Sequence, residues 1–258
     1  LHRVLFRIGP LTIYSYGVFL ALGFVVAGLL ARYRFKQQYK DPYIILDLLL
    51  AAAVGGVIGA RILYVIGNPS QINGWYDIFN ITRGGLVFYG GLLLGFALGL
   101  LVGRWRHLRF WPTMDLGGLC VPVALAIGRI GCLLNGCCYG KPTGLPWGVT
   151  YPLSSGILGV RHPTQIYEMV LDLALFGFLW WKKDSFEREG TVFWLFALGY
   201  GAIRFTIEFF RAHEAASAGL AFQMASVAML LVAVITLLLR YRLLPAAGSG
   251  VALQDERR

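Results

Sequence analysis

Several ionisable residues lie inside apolar sequence, where a charge is costly unless it faces a protein interior or a polar cavity. Arg129 is the sharpest instance, set deep in PVALAIGRIGCLLNGC between Gly128 and Gly131 and followed by Asn135. Two readings are open for it. A structural arginine would snorkel toward lipid headgroups. A functional one would aim its guanidinium at a bound anion, most simply a lipid phosphate. A second cluster lies in GYGAIRFTIEFFR, where Tyr200, Arg204, Glu208 and Arg211 are spaced by four, four and three residues. That spacing predicts one shared helical face. Arg204 and Glu208 would pair there, either as a structural bridge or beside a second arginine that leaves positive charge for a phosphate.

A third polar group, His162, Pro163, Thr164, Gln165, Tyr167 and Glu168, opens another apolar stretch, with Asp172 one turn further on. Pro163 marks a boundary between extended chain and helix. Gln165, Glu168 and Asp172 then share a face, which capping and interior hydrogen bonding explain in part. In TRGGLVFYGG, Tyr89 is surrounded by glycines and is either an interfacial anchor or a site residue. The cysteines are Cys120, Cys132, Cys137 and Cys138. Their spacing is not a usual zinc pattern. A disulfide, buried free thiols and a metal site shared with His162 all stay open.

The elements that must position these residues follow from composition. Of 258 residues, 57% are hydrophobic and only 14% are charged, with 33 glycines. Soluble domains carry about 25% charged residues, and disorder needs low hydrophobicity with many charges. Both classes are excluded, which leaves an all-α polytopic membrane protein. A span needs roughly 20 apolar residues. Seven stretches meet that length, near 13–31, 44–66, 85–103, 114–134, 164–181, 191–210 and 219–239. No small-residue cleavage motif follows the first, so it reads as a span rather than a signal peptide.

Basic residues cluster in one set of connections: Arg32, Arg34, Lys36 and Lys40; Arg104, Arg106 and Arg109; Lys182, Lys183 and Arg188; Arg240 and Arg242. That bias predicts a cytoplasmic side, with the N-terminus outside and the C-terminus inside. The net charge of +10 is therefore a topology signal, and no nucleic-acid partner is expected. Residues 1–245 form the expected membrane domain. It includes an interfacial, arm-like segment at 67–84 and a small periplasmic cap at 135–163, in which Trp147 to Tyr151 reads as one short strand. Residues 246–258 read as a flexible cytoplasmic tail.

The motifs GGLVFYGG, GRIGCLLNG (128–136), HPTQIYE (162–168) and GYGAIRFTIEFFR (199–211) resemble the bacterial prolipoprotein diacylglyceryl transferases. The resemblance spans most of the chain. It implies seven membrane helices, a periplasmic head and arm-like surface segments in the inner membrane. It also implies transfer of the diacylglyceryl group of phosphatidylglycerol to the lipobox cysteine of a preprolipoprotein, releasing glycerol-1-phosphate. Such a reaction needs a positive clamp for the phosphate and an acceptor for the thiol proton.

The resulting site places Arg129 and Arg204 as the clamp, Glu208 orienting Arg204, and Tyr89 and His162 as candidate proton acceptors. Asn135, Tyr200, Arg211, Gln165, Glu168 and Arg83 are the expected substrate-binding residues. No cofactor or metal is expected, and the protein is expected to act as a monomer. Three departures from the family pattern stand out. Tyr89 occupies the place of a histidine held to be catalytic, Cys132 that of an asparagine, and Cys137 that of a frequent acidic residue. A phospholipid-dependent transferase with another acceptor, and a lipid-binding or lipid-moving protein, are the alternatives these departures motivate.

Overall fold

The computed structural model describes residues 2–9, 11–36, 43–72, 74–79, 85–151, 158–212 and 216–243. Arg83, part of the arm-like segment and the expected tail at 246–258 lie outside the described residues. Eight α-helices carry the fold: α1 (Ser15–Lys36), α2 (Ile44–Gly67), α3 (Trp75–Phe79), α4 (Phe88–Trp105), α5 (Phe110–Asn135), α6 (Thr164–Lys182), α7 (Thr191–Glu208) and α8 (Ala216–Leu243). Two antiparallel two-stranded ribbons accompany them. β1 (Val4–Ile8) pairs with β2 (Leu11–Tyr14), and β3 (Val149–Thr150) pairs with β4 (Val160–Arg161).

The expected seven spans are corrected to four. Among the described residues, the helices long and apolar enough to cross a membrane are Ser15–Lys36, Ile44–Gly67, Phe110–Asn135 and Gly219–Arg242. The apolar part of α4, Tyr89–Trp105, is shorter. α6 and α7 form as helices where the sequence places them, but Gln165, Glu168 and Asp172 in one and Arg204 and Glu208 in the other dilute their apolarity.

The chain divides into two compact units, Leu30–Thr113 and Leu1–Leu29 with Met114–Arg258. In the first, α2 and α4 pack backbone to backbone. A Cβ added to Gly59 would lie 2.2 Å from the Gly90 carbonyl oxygen, and one added to Gly90 would lie 2.2 Å from the Gly59 oxygen. Close approach of this kind needs small residues on both helices. Arg61 of α2 donates from Nε to the Ile78 carbonyl at 2.8 Å, from Nη1 to the Gly85 carbonyl at 3.0 Å, and from Nη2 to the Asp77 carbonyl. It thereby satisfies the carbonyls at the end of α3, whose Trp75, Tyr76 and Phe79 side chains are exposed.

In the other unit α5 packs on α7, where a Cβ on Gly118 would lie 2.8 Å from the Phe193 Cα. Gly199 of α7 accommodates Leu175 of α6, and Gly201 accommodates Leu230 of α8. The N-terminus of α7 follows Gly190, at φ 81°, and is capped across the interface. The Asp115 carboxylate of α5 accepts from the backbone N–H of Phe193 at 2.8 Å and from that of Gly190, satisfying two of the donors a helix start leaves open.

Gly59→Ala should cost about 1–3 kcal/mol by overpacking the α2–α4 contact. Thermal unfolding in detergent checks this against Gly56→Ala, whose added Cβ meets nothing within 4 Å and which should leave the melting point nearly unchanged.

Candidate active site

The apolar stretches around Arg129, Glu168 and Arg204 fold as α5, α6 and α7, and the three side chains converge inside one unit. Glu168, at the second turn of α6, is the hub. Its carboxylate accepts from Nη2 of Arg129 and, through both oxygens, from Nη1 of Arg204 at 3.2 Å. Nη2 of Arg204 also donates to the Glu208 carboxylate at 3.3 Å, a bridge between residues four apart on α7. The side chains of Glu168 and Glu208 are 2% and 1% exposed, whereas each arginine keeps 14% of its side chain exposed. The acids are thus more deeply buried than the arginines that pair with them.

A guanidinium carries five N–H donors. Among the described residues, the only acceptor for Arg129 is Glu168, reached through Nη2. Nε and Nη1 of Arg129 make no hydrogen bond among the described residues. Arg211 follows the end of α7, and its backbone N–H donates to the Glu208 carbonyl at 3.3 Å. α7 ends at Glu208, so Arg211 leaves the helical face that spacing predicted and joins a β-bridge with Gly140. Tyr200 stays on α7 one turn before Arg204 and stacks on Phe196 at 5.8 Å.

Gln165, Glu168 and Asp172 do share the inward face of α6, at 1%, 1% and 0% exposure. Their roles differ. Gln165 accepts from the Tyr151 hydroxyl at 3.0 Å and donates to the Cys137 carbonyl at 2.7 Å, so it ties the 135–163 segment down. Both carboxyl oxygens of Asp172 are without a hydrogen-bond partner among the described residues. His162 contacts the Tyr167 hydroxyl through Nδ1 at 3.2 Å, and the Trp147 indole donates to the same hydroxyl at 2.9 Å. Its ring also lies edge-on to Phe210, with centroids 5.4 Å apart. Asn135 closes α5 and is half-buried. Tyr89 stands in the first turn of α4 in the other unit, 55% exposed, and Arg83 lies outside the described residues.

Three side chains that organise this region went unassigned in the sequence. Tyr151 was placed only at the end of a short strand, but its buried hydroxyl reaches Gln165. Burial raises its phenol above the ordinary tyrosine range, more than the Gln165 hydrogen bond lowers it. Thr164 is one of the polar residues opening α6, and its hydroxyl donates to the Cys138 carbonyl at 2.7 Å. Asp115 gave no signal beyond being an acid in apolar sequence, and that signal is sufficient to flag it.

The prolipoprotein diacylglyceryl transferase family profile matches residues 3–241. The chain belongs to that family. A phosphatidylglycerol–prolipoprotein diacylglyceryl transferase of Bordetella avium is 37% identical over 220 residues, covering 81% of each chain. Proteins of the same name in Clostridium tetani and Coxiella burnetii are each 37% identical, over 214 and 219 residues, covering 81% of this chain and 84% and 81% of theirs. With four helices able to cross a membrane, this family member is a multi-pass membrane protein.

Replacing Glu168 by Gln leaves the site's two guanidiniums without their shared charge. Removing one partner of a buried ion pair costs about 3–5 kcal/mol, so Glu168→Gln should lower the melting temperature sharply. Glu187→Gln, at an exposed loop position, should change stability by less than about 0.5 kcal/mol.

Proposed function

We propose that the protein transfers the diacylglyceryl group of phosphatidylglycerol to the lipobox cysteine of a preprolipoprotein, with Arg129 and Arg204 as the phosphate clamp. The observation that carries this reading is two arginines, each keeping 14% of its side chain exposed, held by more deeply buried carboxylates in a chain of this family. The acceptor thiolate attacks the glyceryl carbon that bears the phosphoester. A carbon–sulfur bond forms, the carbon–oxygen bond breaks, and glycerol-1-phosphate leaves with the electron pair. Negative charge grows on the phosphate as that bond opens, so fixed N–H donors aimed there lower the barrier. Glu168 holds both guanidiniums in place, and Glu208 fixes the second nitrogen of Arg204. Arg211 contributes a further positive charge for the headgroup, with Tyr200 and Asn135 bordering the bound lipid.

The thiol proton has two candidate acceptors, Tyr89 and His162. The site would lie toward the outer face of the bacterial inner membrane, where preprolipoproteins emerge. The exposed Trp75, Tyr76 and Phe79 of α3 suit a headgroup-level surface.

Mass spectrometry of a lipobox peptide incubated with the purified protein and labelled phosphatidylglycerol tests the reading. A diacylglyceryl adduct on the peptide cysteine, with released glycerol phosphate, is expected. It should be lost when that cysteine is serine, and Arg129→Ala or Arg204→Ala should slow it by at least about 100-fold in folded protein. Lipid turnover without a peptide adduct would instead assign another acceptor. Lipid binding without turnover would make the protein a binder. Tyr89→Phe with full turnover would remove Tyr89 from proton transfer, while His162→Gln should then carry the loss.

A further inference from the structure

We propose that Cys132, Cys137 and Cys138 form a three-thiolate site for one soft monovalent cation of the copper(I) class. Their sulfur atoms all lie within 4.8 Å of one another. A metal–sulfur bond of about 2.3 Å sets three trigonal sulfur atoms roughly 4.0 Å apart, so side-chain rotation closes the set without a change of fold.

The backbone builds this convergence. α5 ends at Asn135, and Gly136 (φ 72°) and Cys138 (φ 62°) both adopt the left-handed conformation. A non-glycine residue is uncommon there. The two reversals fold the chain back, and the Cys137 N–H donates to the Cys132 carbonyl at 3.1 Å. Buried side chains from α6 then lock the loop, since Gln165 donates to the Cys137 carbonyl and Thr164 to that of Cys138, each at 2.7 Å. The loop is therefore held in the conformation that gathers the thiols, independently of any bond between them.

The donor set selects the ligand. Among the described residues the group contains sulfur alone, with neither carboxylate nor imidazole. Thiolates favour copper(I) and zinc over harder cations. Zinc structural sites are almost always four-coordinate, whereas three sulfurs suffice for copper(I). Three thiolates and one monovalent cation leave two negative charges. Arg129, one turn before Cys132, and Arg211 supply positive charge on this side. Each S–H releases its proton to solvent as a sulfur–copper bond forms, and copper stays monovalent, so no electron is transferred. The inference stands on the thiols and their loop and does not depend on the transfer reaction.

The test uses the full chain, purified in detergent under anaerobic, reducing conditions and offered copper(I) as its coloured bathocuproinedisulfonate complex. Loss of colour and elemental analysis should report one copper per chain. X-ray absorption should show sulfur neighbours only. Cys132→Ser, Cys137→Ser and Cys138→Ser should each weaken retention by more than the about 10–100-fold typical of losing an outer-shell partner. Cys120→Ser, outside the group and buried elsewhere in α5, should bind as the parent does. If Cys132→Ser does not fold, Cys137→Ser in the loop carries the test. Unchanged retention in folded Cys137→Ser and Cys138→Ser overturns the site, as does no uptake by the parent. Stronger retention of zinc than of copper(I) overturns the assigned cation. A disulfide between two of the three thiols, found by non-reducing peptide mapping after purification without reductant, overturns the thiolate site in favour of a redox bond.

Discussion

One carboxylate holds the candidate site together. Glu168 is almost fully buried and accepts from both Arg129 and Arg204, so α5, α6 and α7 are tied at a single charged point. A buried arginine without such a partner is strongly unfavourable, and so is a buried glutamate. The network resolves that problem by pairing them, with the acids more deeply buried than the arginines. The same arrangement fixes cations in space, which an anionic transition state requires. Burial, helix packing and the proposed chemistry therefore depend on the same few atoms.

That economy explains both what the sequence revealed and where it misled. Arg129, Arg204 and Glu208 were legible because a charge in apolar sequence needs a reason. The shared face of Gln165, Glu168 and Asp172 was legible from helical spacing alone. The partner of each arginine was not, since pairing across α5, α6 and α7 is a tertiary fact with no local signature. Arg211 was misplaced because a four-four-three spacing continues a helix on paper, whereas α7 stops at Glu208 and the chain turns to bridge Gly140. The expectation of seven spans failed for a related reason. The polar residues that build the site also lower the apolarity of α6 and α7, so length alone overstated their resemblance to lipid-facing helices.

Three cysteines lie next to this network in the same unit. Cys132 lies one turn beyond Arg129, and Cys137 and Cys138 sit in the loop that Gln165 and Thr164 clamp from α6. The loop carrying two of these thiols is thus held by buried polar groups of α6. Spacing gave no hint of this, because the gathering depends on left-handed backbone at Gly136 and Cys138.

A double-mutant cycle between Arg129 and Glu168 tests most directly that one carboxylate organises the site. Arg129→Gln, Glu168→Gln and the double variant would be compared with the parent by reversible unfolding in the same detergent. A shared buried bridge predicts that the double variant is more stable than the sum of the single losses implies, with a coupling of about 0.5–3 kcal/mol. Strictly additive losses would contradict the account, because Glu168 would then stabilise α6 without holding Arg129.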